Sequence, residues 1–161
     1  MAVKADNEVV DALNEILTAE LTAVNQYYLH AKMMQNWGYT RLYAKIRHES
    51  LDEMKHADEL IDRILYLDGM PNLQRLGRIR IGETPKEILE SDLALEQDAI
   101  PRLNETITFL RDKVDNGTRH LLEQILVDEE VHLDWIESQL HLMSEVGESQ
   151  YLAMQILPEA G

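Results

Sequence analysis

Apolar side chains recur every three to four residues along four long stretches of the chain, the period of helices that each bury one face. In the first, over about residues 6–36, the inner stripe reads Leu13, Ile16 or Leu17, Glu20, Val24, Tyr27 or Tyr28, Ala31 and Met34. Gly38 and Tyr39 interrupt it, and Thr40 offers an N-cap for a second helix of about 40–67. That stripe is Leu42, Ile46, Glu49 or Ser50, Glu53, His56 or Ala57, Leu60, Ile64 and Leu67. Thr84 and Pro85 make a cap and first turn for a third helix reaching about Val114. It turns Leu89, Leu93, Glu96, Ile100, Leu103, Ile107 and Leu110 inward and carries Pro101, which should bend it or remove a backbone hydrogen bond. Beyond the tight turn Asp115-Asn116-Gly117, a fourth helix runs to about Glu145 on Leu122, Ile125, Glu129, His132, Ile136 and Met143. Each of the four stripes contains a carboxylate.

The connections set the topology. A short link makes the first two helices antiparallel neighbours. From Asp68 to Glu83 the periodicity fails and Gly69, Pro71, Asn72, Gly77 and Gly82 punctuate the chain. Extended at ~3.3 Å per residue, this stretch reaches ~50 Å, more than the ~40 Å length of the second helix at 1.5 Å per residue. It can run the length of a bundle and start the third helix at the opposite end, which predicts an all-α, ferritin-like four-helix bundle with a long crossover. Gly147 ends the fourth helix, and a short fifth helix is expected over about 148–157. Tyr151, Leu152, Met154, Ile156 and Leu157 make it apolar enough to meet other subunits or to lie across its own bundle. One domain is expected over 1–161, with the bundle occupying about 6–145.

Thirty acidic side chains against fifteen basic ones give a formal charge of −15, which disfavours nucleic acid and anionic membranes and suits cations. No apolar run approaches a membrane span, the amino terminus has no apolar signal core, and cytoplasm is the expected location. Without cysteine, disulfides and Cys-ligated iron are excluded.

Candidate chemistry lies in the charged positions of the stripes. Glu53 and His56 are three residues apart, so they project from one face of their helix and can share a metal. Glu129 and His132 repeat that spacing, and a lone Glu stands 33 residues before each pair, Glu20 and Glu96. Of six histidines, only His56 and His132 have a Glu three positions earlier. One Glu from each of two helices and Glu-x-x-His from each of the other two is the donor set of di-iron and di-manganese carboxylate proteins. Four carboxylates balance two Fe²⁺ in a core that tolerates no stranded charge. Glu53 and Glu129 are natural bridges, with Glu20, His56, Glu96 and His132 terminal. Asp92 and Asp128, each one turn before a ligand, are candidates to orient the imidazoles. His48 and Asp52 form an i, i+4 pair able to hold a cation, or simply a solvated pair.

The segments AELTAVNQYYLHAKM, HESLDEMKHAD, RILYLDGMPNLQ, IGET, SDLALE and DEEVHLDWIE, in this order, resemble the bacterioferritin family over nearly the whole chain. The resemblance implies an intrasubunit ferroxidase centre at Glu20, Glu53, His56, Glu96, Glu129 and His132, oxidising Fe²⁺ with O₂ or H₂O₂. It further implies a hollow shell of twenty-four subunits, built of twofold dimers, that stores the ferric product. Met54, which spacing alone would assign to packing on a helix flank, matches the position that ligates a b-type haem shared between two subunits, for electron transfer in iron release. His48 and Asp52 match an inner-surface iron site. Tyr27, and Trp135 one turn beyond His132, have two readings, electron donation during oxygen reduction or core packing. The resemblance also implies a reductant protein such as a ferredoxin and a shell either uniform or mixed with a second subunit type. Val131 departs from the family pattern, with consequences for packing or access near the centre. Two rival functions fit less of the pattern: a di-iron oxidase or peroxidase that stores nothing, and a haem-binding electron-transfer shell subunit.

Overall fold

The computed structural model describes residues 6–158, so the expected domain limits at 1 and 161 lie outside it. Five helices follow in order: α1 (Asn7–Trp37), α2 (Thr40–Tyr66), α3 (Pro85–Asp112), α4 (Asn116–Val146) and α5 (Glu148–Gln155). Among the described residues there is no strand, and the fold is the ferritin-like bundle with a short C-terminal helix. The side chain of Asp6 accepts from the Glu8 and Val9 amides to start α1, and Gly38, at φ 90°, ends it in the left-handed conformation that glycine adopts without penalty. Thr84 accepts from Glu87 N ahead of Pro85, as expected. Thr40 does not cap α2; it is the first helical residue, and Tyr39 precedes it without a side-chain cap. Asp115 caps α4, so Asn116 and Gly117 belong to that helix rather than to a turn. Pro101 sits inside α3, which continues on either side of it.

α1 packs on α2 and α3 on α4. The core is split into two apolar clusters. One gathers Leu13 and Leu17 of α1, Leu60 and Ile64 of α2, Leu103 and Leu110 of α3, and Leu122 and Ile125 of α4. The other gathers Ala23 to Met34, Leu42 and Ile46, Ile88 and Leu89, and Ile136 and Met143 of the same helices. The C-terminal halves of both α2 and α3 therefore end in the first cluster, and these two helices run in the same direction. Between the clusters each of α1 to α4 changes from apolar to acidic at mid-length, which places a polar layer in the middle of the bundle.

The crossover from α2 to α3 is held by a row of polar residues on α1 spaced one turn apart. Asn14 donates to Met70 O and accepts from Asn72 N, and Thr18 accepts from Arg75 Nε. Thr22 accepts from Gly77 N, Gln26 from Arg80 N, and the Nε2 of His30 from Gly82 N. Apart from that of Thr18 to the Arg75 side chain, each bond satisfies a group of an irregular backbone that has no helical partner. Gly82 is required by space, since a Cβ there would lie 2.4 Å from Ile88 N.

The apolar tail divides. Tyr151 is buried and donates its hydroxyl to Gln139 Oε1, whereas Met154, Ile156 and Leu157 are exposed.

Candidate metal centre

Helical spacing delivers all six expected ligands to the polar layer. Glu20, Glu53, His56, Glu96, Glu129 and His132 are each buried. Their donor atoms form two groups, Glu20, Glu53, His56 and Glu129 in one and Glu53, Glu96, Glu129 and His132 in the other, each with its atoms within 4.8 Å of one another. Glu53 and Glu129 belong to both. Each group has the size and donors to hold one metal ion, and the shared pair gives two ions common ligands.

The histidine rings are oriented from outside. His56 Nε2 lies 2.8 Å from Asp128 Oδ2, and His132 Nε2 lies 3.3 Å from Asp52 Oδ2. A proton on Nε2 donated to a carboxylate leaves the Nδ1 lone pair facing inward, the tautomer a metal needs. His56 Nδ1 stands 3.1 Å from Glu129 Oε1 and 3.4 Å from Glu20 Oε2. His132 Nδ1 stands 3.0 Å from Glu53 Oε1 and 3.7 Å from Glu96 Oε1. None of these approaches makes a hydrogen bond. Glu20 Oε2, Glu53 Oε1, His56 Nδ1, Glu96 Oε2, Glu129 Oε1 and His132 Nδ1 are all buried without a hydrogen-bond partner, one orphaned atom on each of the six residues. Such atoms cost several kcal/mol, roughly, unless a proton or an ion answers them. The donor set fits a pair of divalent cations.

Electrostatics agree with that fit. Burial, reinforced by the charge of Glu129, raises the Glu20 carboxyl, and burial with the charges of Glu20 and Glu129 raises Glu53 well above its usual range. Burial also raises Glu96, helped by Glu129. Glu129 behaves oppositely. Burial works against its charge, yet the adjoining Glu96 carboxyl and the His132 and His56 imidazoles hold it well below the ordinary value. Burial likewise opposes charging of His132, but Glu129 and Glu96 outweigh it and raise the imidazole to about 11. Without metal the layer keeps its charge down by retaining protons.

Several expectations need correction or relocation. Asp92 does not orient either ligating imidazole; its Oδ1 contacts His30 Nδ1 at 2.8 Å and accepts from Gln26 Nε2, so it braces the row that holds the crossover. Asp52, expected beside His48, stands 3.6 Å from that exposed ring and also serves His132. The signal was an Asp directly before the Glu of both Glu-x-x-His pairs, each aspartate reaching the histidine of the other helix. Tyr27 is the buried member of its tyrosine pair and donates its hydroxyl to Glu96 Oε1; burial and that carboxylate keep it a phenol. Trp135 packs in the second cluster beneath Lys45. Met54 is 42% exposed on the flank of α2, with Leu51 exposed one turn before it. Val131 is 60% exposed and does not line the buried centre.

Glu49 is a buried carboxylate outside the six. Neither of its oxygens has a hydrogen bond, and Lys45 Nζ is 3.9 Å away. Burial raises its carboxyl from 4.5 to about 7, against the pull of His132 and Lys45. The folded group therefore binds its proton more tightly than the unfolded one. The resulting penalty is absent below pH ~4.5, grows as pH rises toward ~7 and is constant above, reaching ~3 kcal/mol at 1.36 kcal/mol per unit. Glu49→Gln in the metal-free protein should gain that much stability over the parent between pH 4.5 and 8, read from paired denaturation curves. A pH-independent gap would assign Glu49 an ordinary carboxyl.

Comparison with known proteins agrees with this architecture. Residues 10–146 match the ferritin-like domain family. The chain is 53% identical over 150 residues to "Bacterioferritin" of Mycobacterium bovis, covering 93% of this chain and 94% of that protein. It is 49% identical over 153 residues to "Bacterioferritin" of Streptomyces coelicolor, covering 95% and 92%. With "Bacterioferritin" of Brucella melitensis it shares 43% over 155 residues, 96% of each chain. Helical bundle, paired acidic donor groups and identity along almost the full length place the chain in the bacterioferritin family.

Proposed function

We propose that this chain is the subunit of an iron-storing shell and acts as a ferroxidase, binding Fe²⁺ at two adjacent positions and oxidising it to Fe³⁺ for storage. The observation that carries the reading is the pair of overlapping donor groups sharing Glu53 and Glu129, with one orphaned atom on every ligand. Two substrate Fe²⁺ ions would be held by Glu20, His56 and the shared carboxylates on one side, and by Glu96, His132 and the same carboxylates on the other. Arrival of +4 displaces the protons held by Glu20, Glu53, Glu96 and the imidazoles. Asp128 and Asp52 keep the ring nitrogens aimed. Two ions give up two electrons, which with two protons reduce O₂ to H₂O₂, or H₂O₂ to two waters. Tyr27, whose hydroxyl is bonded to Glu96, is the proposed donor of one of the two electrons in a turnover that oxidises only one Fe²⁺.

Met54 is the residue proposed to hold, through its thioether, a b-type haem shared with a second subunit, and its exposure beside Leu51 suits that role. When bound, such a haem would supply electron transfer, from a reductant such as a ferredoxin, for release of stored iron. His48 and Asp52 are proposed as an inner-surface iron site. The exposed Tyr28, Leu51, Met154, Ile156 and Leu157 support burial between subunits of a twenty-four-membered shell of twofold dimers, uniform or mixed. Among the described residues no helix is long and apolar enough to cross a membrane, in keeping with a proposed cytoplasmic setting.

The test is Fe²⁺ added without oxygen to metal-free protein, followed by air, with absorbance read as iron is raised stepwise. A fast phase should saturate at two Fe²⁺ per subunit, followed by slower uptake of hundreds per assembly. Saturation at two with no further uptake would instead identify an oxidase that stores nothing.

A further inference from the structure

A cavity of about 320 Å³ reaches the metal centre between α1, α3 and the crossover. Glu20, Glu53 and Glu129 line it on the inside, and Arg78, Arg80 and Arg102 line it as well. Arg78 and Arg80 are exposed and Arg102 is half-buried, so the guanidinium-bearing residues mark its outer part. The volume lies at the lower end of small-molecule sites.

The charges at this mouth do not cancel. Its two outer carboxylates are already taken: Glu15 Oε1 is 2.7 Å from Arg75 Nη2, and Asp98 Oδ2 is 3.1 Å from Arg80 Nη2. Among the described residues, the side chains of Arg78 and Arg102 have neither a hydrogen bond nor an ion pair. In a chain of net charge −15, two unpartnered guanidiniums from different elements thus line one cavity. Arg78 is also anchored through its neighbours, since Gly77 N donates to Thr22 and Arg80 N to Gln26. Anchoring lowers the entropy lost when a ligand is held. Guanidiniums without carboxylate partners draw an anion. Guanidinium forks match tetrahedral oxyanions, to which they can donate two parallel hydrogen bonds. We infer that Arg78 and Arg102 form a binding site for one small tetrahedral oxyanion of the inorganic phosphate class at the outer mouth of this cavity.

The site needs no metal, so it is tested on metal-free protein and again after loading with redox-inert Zn²⁺. Inorganic phosphate is titrated calorimetrically at fixed ionic strength in chloride. One phosphate should bind per subunit, sulfate should compete, and Arg78→Ser with Arg102→Ser should weaken binding at least tenfold in whichever form binds. Arg78→Lys with Arg102→Lys should restore part of the loss, because charge returns without the fork. Absence of phosphate binding from both forms overturns the site. So does equal affinity in the parent and the serine variant, which would put the anion on the metal or on general surface charge. Failure of Zn²⁺ to load would count against the metal centre alone, with the metal-free titration still judging the arginines.

Discussion

Replacing Glu20 and Glu129 together by alanine should abolish the fast phase of Fe²⁺ oxidation, slowing it by more than ~100-fold while the shell still assembles. Removal of a residue that merely supports a metal ligand costs 10–100-fold, so loss of two direct donors should exceed that range. Glu129 contributes to both donor groups, and Glu20 belongs to the group around His56. Without them, one position loses two of its four residues and the other loses one. The fold should survive. Both side chains lie in the polar layer between the two apolar clusters, and neither cluster includes them. Deleting Glu20 removes a carboxyl whose charge burial opposes, the imidazoles can shed the proton that Glu129 helps them keep, and alanine favours the helical backbone. Oxidation kinetics, helical circular dichroism and the mass of the assembly together decide the matter. A fast phase within twofold of the parent, in a variant of normal mass, would remove the centre from these residues.

The clustering of these six side chains was legible because a metal site would restrict residue type and spacing at once. A helix permits few offsets that place two ligands on one face, and Glu53-His56 and Glu129-His132 both use one of them. The four helices were legible for a similar reason, since a buried stripe must repeat. The row Asn14, Thr18, Thr22, Gln26 and His30 was not. A polar stripe reads as a solvated face unless its partner is known, and here the partner is irregular backbone without periodicity of its own. Asp92 was assigned to the ligating imidazoles by proximity along α3, whereas its actual partners, His30 and Gln26, lie more than sixty residues away in sequence. Asp52 was hidden differently: its distance from His48 is close enough for an ion pair, and only the crossing of α2 and α4 reveals its second contact with His132. Local spacing determines which atoms share a helix face, but cross-helix partners depend on packing.

Met54→Leu should remove methionine ligation of haem while leaving the rate of Fe²⁺ oxidation within about twofold of the parent. Leucine is close to methionine in volume, so the flank of α2 should keep its shape and lose only the sulfur. Adjacent helical residues diverge by about 100°, which separates Met54 from the donor atoms of Glu53. The structure has that divergence, with Glu53 buried and Met54 exposed. If one thioether comes from each subunit, the parent reconstituted with haem should saturate at one haem per two subunits. Its spectrum should report two sulfur ligands, and the leucine variant should lose that signature together with most of its haem affinity. Met54→His should instead bind haem with a nitrogen-ligated spectrum and an altered reduction potential. An unchanged haem spectrum in the leucine variant would assign the cofactor to another ligand and leave Met54 as interface packing. A parallel fall in oxidation rate would show that the flank and the buried centre are coupled, against their separation along α2.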